Sequence, residues 1–579
     1  MKQISYILLI IALVTSLNSC KKNFFDKPQT SDVTLETIFS NRTNAEAHFY
    51  RVYNQLVTRG WENYTSNIFL SSMLCCISDE CDSYRGIAAG TNINLLGLNP
   101  VLPASNGLQR YNEDDFIGGF TGIRQAYIFL ENIDMVSEIP KAERDQMKLE
   151  VKLLIAMRYA EMLKRYGGVP IITKSLFFTE PIETPRATYK ETVDFIVGIC
   201  DEANALPDAW PSQWKGRMTK GVALALKART LLYAASPLYN ASSSILSFSN
   251  PELICYGNFD ANRWKLAVDA NVALLNWASA NGIALINTGK PFEDYGTAVS
   301  LSDNQEIILA NKWSTSDNGF NQQVRPFSIR GFCPTFNFLH EFRKADGTDQ
   351  VWDEVDEVRY PYSNYATKMG QLEPRFQQCV WIAGELYPRS NPSGTGMDPW
   401  DFAGNGEVAG ASGMRGVGRF SKYLYKYANE NFKEYPVFRL AEFYLNFAEA
   451  ANEFYGPVSA VPGTTLTAVS ALNIIRVRGG LQPISTSDKD DLRTYIKRER
   501  AVEYFGENQR NWDLRRWKEA EVNGGPFYGF FFKQAPDNRS YLTYFKAVAE
   551  TRFWAPNQYF YPFPQTEVNK GYLIQNPGY

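Results

Sequence analysis

The segment Leu149–Tyr166 constrains the fold most, because its apolar residues fall on a helix in two stripes instead of one. Leu149, Leu153, Ala156, Ala160 and Leu163 recur at alternating spacings of four and three, and Val151, Ile155, Tyr159, Met162 and Tyr166 run beside them. Such a helix must be covered on two sides, which suits stacked helical pairs better than a helix lying on a sheet. Gly167-Gly168 ends it and Pro170 keeps it from resuming. The same texture returns further on. Thr219 is placed to cap a helix running to about Ala235, with Leu224, Ala228, Leu231 and Ala235 in line and Pro237 beyond. In Arg439–Glu453 the polar residues are confined to a stripe of Arg439, Glu442, Asn446, Glu449 and Glu453, so this helix is mostly buried. Leu472–Arg478 is helical up to Gly479-Gly480. No strict period relates these segments, so helix pairs are expected without a fixed repeat.

Two stretches break the pattern. Around Asn240–Asp260, and again over Tyr387–Arg419, glycine, serine, asparagine and proline dominate; the second reads as a long irregular insertion. Between them Glu306–Ala310 is short, apolar and flanked by polar turns, which predicts a strand. The expected fold is mostly α, with helix pairs forming a scaffold over roughly 35–240 and 430–579 and an irregular, loop-rich lobe over roughly 240–430. Loops carried on a rigid frame are where binding usually resides. The formal charge of −3 is spread without blocks of one sign, which argues against nucleic acid and its demand for a basic face. Aromatic residues make up 14% of the chain, 33 of them tyrosines, and their flat faces and polar edges suit amphipathic ligands as well as a large core.

At the amino end Lys2 precedes an almost wholly apolar run from Ile4 to Leu17, closed by Asn18-Ser19-Cys20. The run is short for a membrane span and has the layout of a cleavable signal. A small residue before a cysteine at that point predicts a lipoprotein signal peptide over 1–19, with the Cys20 thiol thioether-linked to diacylglycerol. Fatty acyl chains (palmitate and its like) hold a domain on a membrane without a spanning helix. Seven further cysteines include no Cys-x-x-Cys pair; Cys75, Cys76 and Cys81 lie close, but His48 and His340, the only histidines, are both distant. Buried free thiols are expected there and no metal, with a disulfide left open. No cofactor motif is present.

One segment is rich in charge: Arg498-Glu499-Arg500-Ala501-Val502-Glu503-Tyr504-Phe505-Gly506-Glu507, followed by Arg510–Trp517. On a helix, Arg500, Glu503, Glu507, Arg510 and Asp513 make a ladder of opposite charges on one face. A catalytic carboxylate pair, Glu503 with Glu507 or Asp513, would make the chain an extracytoplasmic glycoside hydrolase. A general acid needs a lone, desolvated carboxyl, however, and here arginines lie within reach of every carboxylate. The segment is therefore read as architecture, and no catalytic residue is assigned.

These residues are similar to the strongest C-terminal motif of the SusD/RagB family of outer-membrane nutrient-binding lipoproteins. Other segments agree in order: Ser19-Cys20 with Phe24-Phe25-Asp26 and Pro28, Arg158-Tyr159 through Tyr166-Gly167-Gly168-Val169-Pro170, and Ala228-Arg229 with Tyr233-Ala234-Ala235. Phe438–Glu442 through Ala448-Glu449-Ala450 follows, then Tyr561-Pro562-Phe563-Pro564 with Gln575–Tyr579. The resemblance covers the whole chain after residue 19, a single domain over 20–579. It implies tetratricopeptide-like helix pairs supporting a binding face, and a lipid-anchored protein on the outer membrane facing the cell exterior. It also implies an oligosaccharide ligand handed to a SusC-like TonB-dependent transporter for polysaccharide utilisation; a transporter lid that binds peptide or another nutrient is the variant reading. The family motifs are scaffold, so ligand-binding residues must be sought among exposed aromatic residues with polar neighbours. Trp313, directly after the predicted strand, leads, with Phe320 and Arg325 downstream; Tyr84 with Arg85, and Trp61 with Tyr64, are further candidates.

Overall fold

The computed structural model describes residues 34–56, 74–83, 89–101, 116–176, 184–312, 332–385, 416–423, 434–535 and 540–579. Its scaffold consists of α1 (Arg42–Leu56), α2 (Phe116–Asn132), α3 (Lys141–Tyr166), α4 (Tyr189–Glu202), α5 (Lys220–Ala235), α6 (Asn262–Ala280), α7 (Leu440–Phe454), α8 (Ala468–Arg478), α9 (Lys489–Glu503) and α10 (Arg510–Arg516). From α2 to α9 each helix packs on the one before it, so the array is continuous in space. That continuity spans the gap between Ala280 and Leu440, where the lobe is inserted. Each layer is buried by its neighbours, which is how helical solenoids hold together.

Local chemistry explains the helices. Both apolar stripes of α3 are covered: Val151, Leu153, Ile155, Tyr159, Met162 and Tyr166 are all buried, and the helix packs against α1, α2, α4 and α5. Its start at Lys141, earlier than the apolar stripes alone suggest, follows directly from Pro140. At its far end Gly167 takes a φ of 78° and donates its N–H to the Leu163 carbonyl at 2.9 Å. The C-terminal tail seals the same end: the Phe563 ring stacks on Tyr166 at 4.8 Å, and Asn576 Nδ2 donates to the carbonyls of Tyr166 and Tyr561. Thr219 caps α5 by accepting from Val222 N–H, as expected. Alanines at 223, 225, 228, 234 and 235 are buried there, and Gly221 meets the Trp277 ring of α6 so closely that a Cβ would overlap it. Helix α6 lies within the span of roughly 240–430 expected to be a loop-rich lobe, and its 19 residues instead join the scaffold between α5 and α7.

The lobe is stitched by short antiparallel strands: β1 (Cys81–Ser83), β2 (Ile307–Lys312), β3 (Phe332–Pro334), β4 (Arg359–Pro361), β5 (Val380–Trp381), β6 (Arg419–Phe420), β7 (Glu434–Arg439), β8 (Gly525–Gln534) and β9 (Tyr541–Arg552). β1 pairs with β3, β2 with β7 and β5 with β6, while β4, β9 and β8 form a three-stranded sheet. The expected strand at Glu306–Ala310 is β2, whose partner β7 leads straight into α7. An aromatic core fills the lobe; Phe338 stacks on Phe505 at 5.2 Å and Phe420 meets the same ring at 5.3 Å. Cys75, Cys76, Cys81, Cys200, Cys255, Cys333 and Cys379 are buried and form no disulfide among the described residues.

The charge ladder is not one helix. α9 stops at Glu503 and α10 starts at Arg510, because Gly506 (φ 73°) and Asn508 (φ 61°) turn the chain through left-handed backbone. Of the expected rungs, Arg500 still reaches Asp513, at 2.9 and 3.0 Å, but across the turn. The others find partners far away in sequence.

Candidate functional site

The turn Tyr504–Gln509 is the point at which the scaffold meets the ends of several described segments. Gly506 donates its N–H to Glu80 Oε1 at 2.9 Å and its carbonyl accepts from the Tyr423 hydroxyl at 2.9 Å. Glu507 takes Lys422 Nζ at 2.5 Å and Arg439 Nε and Nη2 at 2.8 and 2.7 Å. Arg510 grips Asp79 with two hydrogen bonds, at 3.0 and 2.8 Å, and reaches Glu341 at 3.0 Å. Arg552 donates to the carbonyls of Ser78 and Cys81 at 2.6 and 2.8 Å. Thr335 closes the ring by donating its hydroxyl to the Asp79 carbonyl at 2.5 Å. Glu80, Lys422, Tyr423 and Arg439 are thus tied directly to the turn, and Asp79 and Glu341 to Arg510 at the start of α10.

Behind the turn the charges continue through the interior. Glu503 is fully buried and receives Arg439 Nη1 at 2.6 Å, Arg375 Nη1 at 3.1 Å and Arg478 Nη2. Burial alone would raise its carboxyl, but Arg478, Arg439 and Arg375 together hold it well below the usual carboxylate range. The narrow polar stripe of α7 is the spine of the same network. Glu442 pairs with Arg229 at 2.6 and 2.5 Å, Asn446 accepts from Arg500 at 2.6 Å, and Glu449 accepts from Arg516 Nη2 at 2.7 Å and the Trp517 indole at 2.8 Å. Glu507 and Asp513 are also held below their ordinary values: burial opposes ionisation, and Arg439 with Lys422, and Arg500 with Arg516, outweigh it. A carboxyl kept ionised and sealed from solvent neither donates a proton to a glycosidic oxygen nor reaches one. Chemically, this cluster can fix geometry and nothing more.

A cavity of about 80 Å³ lies beside the turn, lined by Leu56, Leu74, Tyr435, Tyr504, Glu507 and Trp512 among others. It falls far short of the roughly 300 Å³ at which small-molecule sites begin. It sits instead at the described ends, Leu56 and Leu74, of one segment and beside the entry to β7. Backbone register groups the other ends: Ser83 stands opposite Phe332, and Lys312 opposite Glu434.

All the sequence-derived ligand candidates, Trp313, Tyr84, Phe320, Arg325, Trp61 and Tyr64, lie outside the described residues, as does Cys20. The structure does place the chain on either side of them. Tyr84 directly follows β1 and Trp313 directly follows β2, while the segment carrying Phe320 and Arg325 ends where β3 begins, opposite the end of β1. Trp61 and Tyr64 stand between Leu56 and Leu74, which share the small cavity. What the sequence reading missed is the set of partners that anchor these ends. Asp79, Glu80, Glu306, Arg375 and Lys422 carry no local spacing signal, since Asp79 and Arg510 are separated by 431 positions.

Comparison with known proteins agrees with this architecture. A family model described as "SusD family" matches residues 292–579, and another described as "Starch-binding associating with outer membrane" matches residues 91–232. The chain is 22% identical over 543 residues to SusD-like protein P38 of Formosa agariphila, spanning 91% of this chain and 94% of that one. A crystal structure of a SusD-like protein from Bacteroides fragilis superposes with a TM-score of 0.73 at 25% identity, covering 94% of this chain and 98% of the other. A SusD-like carbohydrate-binding protein from the same species superposes with a TM-score of 0.66 at 18% identity, covering 93% and 99%. The mostly helical fold superposes on SusD-like structures and both matching models are of SusD type, so the chain belongs to the SusD/RagB family.

Proposed function

We propose that the protein is a non-catalytic glycan-binding lipoprotein that captures oligosaccharide at the outer membrane and passes it to a SusC-like TonB-dependent transporter. In this reading residues 1–19 are removed, Cys20 carries the lipid, and 20–579 form one domain facing the cell exterior. The observation that carries it is the turn Tyr504–Gln509, where Gly506 and Glu507, with Arg510 next to them, hold Glu80, Lys422, Tyr423 and Asp79 in place. A frame of that kind serves binding by loops, because a preorganised site loses less entropy when its ligand arrives. The family-model description that refers to starch and the outer membrane, and a structural relative titled as carbohydrate binding, support the ligand class and the location. Among the described residues no helix is long and apolar enough to cross a membrane, which is compatible with attachment through lipid.

Trp313 is the leading ligand contact, with Phe320, Arg325, Tyr84, Trp61 and Tyr64 as further contacts; a tryptophan face stacks well on the C–H face of a sugar ring. The chain beginning after Cys20, run on a glycan array, should show saturable binding to an oligosaccharide without release of reducing ends. Trp313→Ala should weaken that binding by about tenfold or more, since stacking of one ring accounts for a kilocalorie or two. Binding of peptide with no glycan retained on the array would overturn the ligand class, and reducing ends that vanish on Glu503→Gln would overturn the non-catalytic reading.

A further inference from the structure

A second, open groove of about 500 Å³ lies on the scaffold, and no residue of the turn Tyr504–Gln509 lines it. It is bounded by residues 235–243 after α5, the entry to α6, the outer part of α7, the face of α9 and the residues that follow α10. Its volume falls in the range used by small-molecule and saccharide sites. The walls are firm. Asn240 Nδ2 donates to the Asp260 carbonyl and Asn240 Oδ1 accepts from Asp260 N–H, both at 2.9 Å, so the two chain segments on one side are clamped together.

The lining has a distinct chemistry. Lys489, Arg493, Lys497 and Lys518 face Glu449 and Glu453, and Glu449 is already committed to Arg516 and the Trp517 indole. Glu453 is shared by Lys489 and Arg493, at 3.2 and 2.6 Å. Lys497 pairs with Glu519 outside the lining and lies 5.1 Å over the Trp517 ring. Lys518 has no ion pair among the described residues. It is also one of four non-glycine residues with positive φ among the described residues, at 64°, in a conformation that costs a side-chain-bearing residue free energy and persists where the surroundings enforce it. The same lining includes Phe259, 64% exposed, and the serines at 242 and 243. Arg493 pairs with Asp490 as well, which leaves Lys518 as the lining cation without an ion pair among the described residues. With an exposed aromatic face and hydroxyls in one groove, it matches a ring that is apolar on one face, hydroxylated at its edge and negatively charged.

We propose that this groove is a second binding site, for an anionic saccharide carrying uronate carboxylates or sulfate esters, with Lys518 as the principal anion contact and Phe259 as the stacking face. This proposal rests on other residues than the loop-borne contacts of the proposed function. The test uses the full chain with three probes of equal length: tetragalacturonate for carboxylate, a sulfated galactan tetrasaccharide for sulfate ester, and maltotetraose as the uncharged control. Calorimetry should show at least one anionic probe binding more tightly than maltotetraose, with affinity that falls as salt is raised through the screening range. Lys518→Asn, which suits a positive φ, and Phe259→Ala should each weaken the anionic probe by about tenfold, the loss of a charge-assisted contact or a ring face. Trp313→Ala should leave that affinity unchanged, so failure of the loop site and failure of this groove are read separately. An anionic probe that binds both groove variants as it binds the parent chain, or no anionic binding by the parent chain at all, overturns the proposal.

Discussion

Glu503 illustrates how a residue can look catalytic and be the opposite. Three arginines converge on its buried carboxylate, so removing the charge leaves them facing one another in a low-dielectric interior. Glu503→Gln is therefore expected to lower unfolding free energy by about 3–5 kcal/mol, read from urea denaturation. A variant as stable as the parent would show that the network is dispensable. The same charges set the response to acid. Glu503, Glu507, Glu449 and Asp513 all have folded values below their ordinary ones, 4.5 for the glutamates and 3.8 for the aspartate. Groups shifted in that direction stabilise the fold above their unfolded values, and the contribution is lost as pH falls toward the folded ones. The urea midpoint should thus drop steeply between about pH 5 and pH 3, and a flat profile over that interval would contradict the assignment.

At the scale of elements, close approach governs the helical array. The alanine-rich face of α5 and its Gly221 admit the Trp277 ring of α6, whose indole N–H donates to Asp208 Oδ1 at 2.7 Å. A β-branched side chain at 221 must push that ring away, since even a Cβ overlaps it. Gly221→Val should cost about 1–3 kcal/mol by overpacking, seen as a lower thermal midpoint with unchanged helical circular dichroism. An unaltered midpoint would mean that the α5–α6 contact is looser than described. The turn between α9 and α10 is the element that sequence periodicity misjudged. Three- and four-residue spacings of charge continue straight through it, yet Gly506 and Asn508 break the helix, and that break is what lets Glu507 and Arg510 face different parts of the lobe.

Over the whole molecule, the cysteines offer a test of both packing and processing. The seven from Cys75 to Cys379 are buried thiols without a disulfide among the described residues, so a thiol reagent should find them unreactive in the native protein. On denaturation, protein isolated from membranes should release seven reactive thiols if Cys20 is lipidated and eight if it is not. Reaction of several thiols under native conditions would contradict the burial.

Periodicity and punctuation were enough to establish α3, α5, α7 and α8, though not α6 or the break between α9 and α10. Two apolar stripes on α3, Thr219 before α5, Gly167 after α3 and the apolar circumference of α7 are local signals, read correctly because helix formation and capping depend on neighbours a few residues away. The ordered motifs established the family by resemblance, and the family-model matches bear it out. Only the tertiary structure decided where the charges go. Asp79 meets Arg510, Glu306 meets Arg478, and Arg375 meets Glu499 across long stretches of chain, and no spacing rule encodes those encounters. Buried ion pairs form wherever the fold leaves two opposite charges no other partner. That choice belongs to the assembled interior and is invisible along the chain.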